Sequence, residues 1–226
     1  MSNGQYCATL VSQYIRSMPA DLTAERFAML VTAFLRFVYQ EQQADMQLLT
    51  DIPTERMAAS AAIYSHQRRE VWLVGDCQCL VDRCHHDNPK PYEAALADIR
   101  SGFLRLQLLQ GTTQADIQRH DTGRDLIVPL LIESCKAQNK TFTVIDGFPM
   151  PVAGIKVVPA TNAREIVLGS DGYPTLLPTL AESEQALAAL LADDPLCIGT
   201  FRATKGLMQG NASFDDRAYV RFQPTM

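Results

Sequence analysis

The stretch VWLVGDCQCLV, Val71 to Val81, reads as a β-strand, since apolar and β-branched residues dominate it and its side chains alternate between two faces. Val71, Leu73, Gly75, Cys77, Cys79 and Val81 fall on one face, and Trp72, Val74, Asp76, Gln78 and Leu80 on the other. Asp76 is therefore an acid placed in mid-strand among apolar neighbours. An ionised carboxylate in such a place needs a cation or several hydrogen-bond donors to offset its lost hydration.

Upstream, MAASAAIYS and the polar HQRRE make a second strand and a turn centred on Gln67 to Arg69. Downstream, TFTVIDGFP, IKVVP and REIVLGSDG are three short runs punctuated by Gly and Pro, expected as antiparallel strands with tight turns, and RAYVRF alternates as a closing strand. Helices frame these strands. Tyr6, Leu10, Val11, Tyr14 and Ile15 recur at helical spacing after Ser2 and Asn3, and Phe27, Leu30, Val31, Phe34 and Leu35 do so after Thr23. The two form a helical hairpin closed around Pro19. Further helices are expected from Pro91 to about Gln110 and from about Asp116 to Gln138 with a kink at Pro129. A last one starts at the capping box Thr179 to Glu182. This order has no regular βαβ rhythm, which favours an α+β layered domain with antiparallel sheets.

Asp76 is not alone. Asp171 follows the apolar Ile166, Val167 and Leu168, and Asp215 and Asp216 stand just before the closing strand. Each is ordinary by itself, because Asp-Gly is a common turn and Asp at a strand boundary often caps backbone amides. Brought together, such carboxylates repel one another unless a hard cation sits between them.

Composition narrows the class. The 226 residues carry a formal charge of −5 and no Lys/Arg-rich block, which argues against binding a nucleic-acid backbone. No linker divides the chain, so a single domain over 1–226 is expected. The N-terminal residues lack a signal-peptide pattern and no long apolar run suggests a membrane span, which reads as a soluble cytoplasmic protein. The six cysteines, spread over this length, read as reduced thiols.

Three segments together resemble one family. WLVGDCQ is similar to the "VGDSR" strand of the metal-dependent, type 2C serine/threonine protein phosphatases, IVLGSDGYP to their "ILASDGLWD" strand, and SFDDRAYVRF to their closing "DNITVVVV" strand. The order is the family's, DRCHHDNPKP is similar to the "DHKP" segment after the first motif, and NGQYCATLVSQYI is similar to the helix after the family's "DGHGG" loop. The resemblance implies a sandwich of two antiparallel sheets flanked by helices, hydrolysing phosphoserine or phosphothreonine in a phosphoprotein with Mg²⁺ or Mn²⁺. It implies that Asp171, followed by Gly172, and Asp215 are ligands of a core metal, that Asp76 is the ligand of a looser third metal, and that Asp216 replaces the family's Asn. Oxygen donors of this kind select hard divalent ions.

The chain also departs from the family. It begins after the position of the "DGHGG" loop, so the bridging Asp expected there is missing, and Cys77 and Gln78 replace the Ser and Arg of "GDSR". Asp146 and Gly147 look superficially like the lost motif, but in the wrong order, and they read more simply as a hairpin end. The expectation is an N-terminally incomplete domain, whose exposed sheet edge is covered in a homodimer or by residues further upstream. The alternative reading is a non-catalytic pseudophosphatase that serves as a regulatory or binding module for a partner protein. A zinc site from Cys77, Cys79, Cys84, His85 and His86 lacks a CxxC pair, and Cys77 and Cys79 lie on the apolar face. His66 and His120 read as solvated residues, with nothing to place either beside a thiol.

Overall fold

The computed structural model describes residues 2–225. Helices α1 (Asn3–Ile15), α2 (Ala24–Glu41) and α3 (Met46–Asp51) come first, followed by strands β1 (Ala61–Ser65), β2 (Glu70–Val74), β3 (Gln78–Val81) and β4 (Cys84–Asp87). Helices α4 (Glu93–Leu109), α5 (Gln114–Arg119) and α6 (Thr122–Cys135) lead to strands β5 (Lys156–Pro159) and β6 (Ile166–Gly169), helix α7 (Leu180–Asp193) and strand β7 (Tyr219–Phe222). The strands make two antiparallel sheets, in the orders β1-β2-β5 and β4-β3-β6-β7. The α+β class and the paired antiparallel sheets agree with the sequence reading.

The stretch Val71–Val81 is two strands, not one. Gly75 adopts φ +76°, and the chain passes there from the first sheet, at β2, into the second, at β3. A Cβ at Gly75 would stand 2.2 Å from Ser60 Oγ, so glycine is required by both backbone and space. The two-face pattern nevertheless survives the break. Val71, Leu73, Cys77 and Cys79 are buried together with Val158 and Ile166 between the sheets. Trp72 and Val74 pack outward against Phe27, Val31 and Leu35 of α2, with the Phe27 and Trp72 rings 5.8 Å apart. Leu80 packs outward on the second sheet with Val167 and with Leu187 of α7. The layers are thus helix pair, sheet, sheet, helix.

The N-terminal hairpin forms as its stripe predicts, with Ser2 and Thr23 as side-chain caps and Tyr14 stacked on Phe34 at 4.1 Å. The capping box of Thr179 and Glu182 starts α7. Two further expectations need correction, and one strand is unexpected. TFTVIDGFP is not a strand; it pairs through two isolated bridges, Ala59 with Ile145 and Gln138 with Phe142, because Asp146 turns inward as a hub. Its carboxylate accepts from Arg56 at 2.9 Å, Gln138 at 2.7 Å, Asn139 at 2.7 Å and the Phe148 N–H at 2.9 Å. The helix expected over Asp116 to Gln138 is split, since Asp121 caps the start of α6, which then runs through Pro129. CHHD forms β4, unforeseen because its hairpin turn uses Asp82 and Arg83 at positive φ where glycine or asparagine is the usual signal. No helix among the described residues is long and apolar enough to cross a membrane.

Candidate functional site

The strand register gathers the acids. Gln78 pairs opposite Gly169, and Gly169 opposite Tyr219. Following these antiparallel registers past the strand ends puts Asp76 level with Asp171, and Asp171 level with Arg217, beside Asp215 and Asp216. Three segments far apart in sequence therefore deliver their acids to one end of one sheet. They open on a cleft of about 670 Å³ that Asp76, Asp171 and Asp215 line together with Lys90, Arg124 and Lys205.

Gly172 explains why an Asp-Gly stands at the end of β6. A Cβ there would lie 2.2 Å from the Asp216 carbonyl oxygen, so glycine permits the close approach that brings Asp171 beside the segment before β7. The Ser170 N–H donates to Ala218 O at 3.1 Å, and the Ala218 N–H donates to Ser170 Oγ at 3.0 Å, tying the same two segments. Gln78 grips the loop from the other side. Its side-chain amide donates to Ser170 O at 2.9 Å and Tyr173 O at 2.7 Å, on either side of Asp171. Because both bonds are donated, its carbonyl oxygen is left to accept from His85 Nε2 at 2.8 Å, which places the proton on that ring nitrogen.

The three acids differ sharply in their partners. Asp76 accepts from Ser60 Oγ at 2.5 Å and is ion-paired to Lys90, with side-chain exposures of 9% and 21% for Asp76 and Lys90. Burial alone pushes the Asp76 carboxyl up, but the Lys90 ammonium and the Ser60 hydroxyl outweigh it and hold the carboxyl below its ordinary value. The same pairing raises the Lys90 ammonium despite its burial. Glu93, 3.5 Å from Lys90, is raised, first by burial. Asp215 accepts from Lys205 Nζ at 2.5 Å and from the Asp216 N–H at 2.8 Å. The Asp216 residue itself is exposed.

Asp171 has no hydrogen bond or ion pair among the described residues. It reaches solvent at the cleft, yet protein surrounds it deeply enough that desolvation, followed by repulsion from Asp76 and Asp215, pushes its carboxyl up to about 7 from 3.8. A carboxyl raised first by desolvation and then by two neighbouring acids is one that a bound cation would relieve.

The donor chemistry suits Mg²⁺ or Mn²⁺, which take carboxylate oxygens, and Mg²⁺ in particular is commonly held by one or two carboxylates with waters completing its shell. Among the described residues no three His, Cys, Asp or Glu side chains stand together as a ready-made ligand group. An ion held at Asp171 and Asp215 would take most of its shell from water. Cys77 and Cys79 are buried between the sheets and Cys84 is exposed, while His120 pairs with the exposed Asp125 at 2.8 Å. Asp146 serves the hub described above and does not line this cleft.

Sequence reasoning missed Lys90, Glu93, Arg124 and Lys205. Lys90 lies in the DNPKP segment that the family resemblance already singled out; Lys205, in ATKG, carries no local signal at all. No protein-family model, curated protein or solved structure matches the chain.

Proposed function

We propose that the chain is a metal-dependent phosphate-monoester hydrolase of the type 2C phosphatase class, directed at phosphoserine or phosphothreonine, with Mg²⁺ or Mn²⁺ held at Asp171 and Asp215. One observation carries the reading: three motifs that resemble that class in order also converge, acid by acid, on one end of one sheet. A divalent ion held there supplies Lewis-acid charge for hydrolysing a phosphate ester. The chain's own groups prepare the place. Asp171 gives up its proton when a cation arrives, Gln78 holds the loop that carries it, and Lys90 keeps Asp76 neutralised.

The test is hydrolysis of para-nitrophenyl phosphate with Mn²⁺, expected in the wild type and lost in Asp171→Ala. Cation affinity follows the Asp171 proton. Because its carboxyl is raised to about 7, Mn²⁺ affinity climbs about tenfold per pH unit as pH rises toward 7 and levels off above it. Calorimetric titrations between pH 5.5 and 8 read this directly, and a flat profile would count against Asp171 as a ligand.

The second reading is a non-catalytic module of the same fold that binds a regulatory partner. It is favoured by the lysines, which already neutralise two of the three acids. That reading expects no hydrolysis at any metal concentration.

A further inference from the structure

Lys90 is not a lysine that happens to reach an acid across a surface. Asn88 anchors its segment beside the Gly75 break, donating to Gly75 O at 3.0 Å and Gly154 O at 3.2 Å. Pro89 and Pro91 flank Lys90 and restrict the backbone on both sides. The ammonium is thereby delivered to Asp76 Oδ2 while Ser60 satisfies Oδ1, and Glu93 lies within 3.5 Å of the same ammonium. Both carboxylate oxygens have donors, and the pair is largely sheltered from water, where Coulomb attraction is stronger than at an open surface. A divalent ion at Asp76 would meet a fixed positive charge already in its place.

We propose that Lys90 is a built-in cation that takes the position of a metal at Asp76, so that Asp76 holds a lysine and divalent ions bind only at Asp171 and Asp215. The inference rests on reading the cleft as an acid centre, and it specialises the three acids. Asp76 has both oxygens occupied by Lys90 and Ser60. Lys205 and the Asp216 N–H both reach Asp215 Oδ1, so that Oδ2 stays without a donor among the described residues, and Lys205, 39% exposed against 21% for Lys90, is the more readily displaced. It also reverses the expectation that Asp76 is a metal ligand.

The test is the number of Mn²⁺ ions bound per chain, read by electron paramagnetic resonance of free Mn²⁺ during titration, with thermal melting as the folding control. Asp76→Asn in the otherwise wild-type chain leaves the count unchanged. Lys90→Met frees Asp76 and adds one ion per chain, and Lys90→Met with Asp76→Asn removes that added ion. Lys90→Arg keeps the wild-type count. Loss of a bound ion in Asp76→Asn overturns the proposal, as does a folded Lys90→Met chain that gains none. The readout is independent of hydrolysis: a chain that binds Mn²⁺ as described but cleaves no phosphate ester removes the proposed function and leaves this assignment standing. Conversely, an ion lost in Asp76→Asn from an active enzyme removes the assignment alone.

Discussion

At the scale of single residues, the decisive fact is that Asp171 carries the cost of a charge arrangement whose other members are satisfied. Asp76 has Lys90 and Ser60, Asp215 has Lys205, and Asp171 has neither ion pair nor hydrogen bond among the described residues. The raised carboxyl binds protons in the folded state that the unfolded chain has released. Stability from this group is therefore fully present below pH 4 and is lost as pH rises through about 7. Asp171→Asn removes the charge at similar size. With the shift discounted for a side chain that reaches solvent, it should stabilise the metal-free protein by about 1–2 kcal/mol at pH 8 and by almost nothing near pH 4. Urea unfolding at the two pH values without divalent ions measures the difference, and equal effects at both would show that desolvation and repulsion do not raise the Asp171 carboxyl. Saturating Mn²⁺ should erase the pH 8 advantage of Asp171→Asn, since the cation relieves the wild type and finds a weaker ligand in the variant. These contrasts were half legible in the sequence: an acid at the end of an apolar run can be read from spacing, but which acid keeps a lysine depends on side chains brought from elsewhere.

At the scale of elements, the fold turns on glycines that let backbones meet. Gly75 hands the chain from one sheet to the other, and Gly172 lets the end of β6 touch the segment before β7. Alternation in Val71–Val81 correctly assigned side chains to the inter-sheet layer and to the outer layers, because the side-chain phase is kept across the break. The break itself could not be read, since a glycine inside a strand pattern equally suggests a bulge or a close contact. TFTVIDGFP has strand-like residues, but a fully buried Asp146 with four donors outweighs that local preference. Gly172→Ala sets its Cβ against the Asp216 backbone carbonyl, which cannot swing aside as a side-chain tip could. It should cost about 2–3 kcal/mol and weaken Mn²⁺ binding, because Asp171 and Asp215 are pushed apart. Gly75→Ala should cost a similar amount through strain at positive φ and its contact with Ser60, but its effect on the ion should run through Asp76's partner Ser60. Thermal unfolding with and without Mn²⁺ separates the two: a Gly172→Ala protein as strongly stabilised by Mn²⁺ as the wild type would refute the role given to that close approach.

At the scale of the whole molecule, the cleft is assembled by a buried charge network far from the three acids in sequence. Arg100 on α4 is fully buried and donates through Nε and Nη2 to Asp121 Oδ2 at 2.9 and 2.6 Å, and through Nη1 to Leu196 O and Ala203 O, each at 3.0 Å. Asp121 also caps α6 through the Arg124 N–H at 2.8 Å, and the Arg124 guanidinium donates to Thr204 O at 2.9 Å. The next residue is Lys205, on Asp215. One arginine thus couples α4, α6 and the loop that supplies the cleft with its second lysine. Nothing in the spacing of Arg100, Asp121 and Lys205 announces this, because the contacts span long separations and the residue types are those of any solvated helix face. Removing Arg100 leaves Asp121 buried without its ion pair, the costly half of a broken pair. Arg100→Met should therefore lose about 3–5 kcal/mol, a fall in melting temperature of about 8–15 °C for a domain of this size. Arg100→Met with Asp121→Asn should lose less than the sum of the single changes, since neither charge is then stranded. Because the loop would no longer be pinned at Leu196 and Ala203, Arg100→Met should also free Asp215 from Lys205 and raise Mn²⁺ affinity at a temperature where the variant remains folded. A variant that is destabilised but binds Mn²⁺ as the wild type does would confine Arg100 to holding the core and sever it from the cleft.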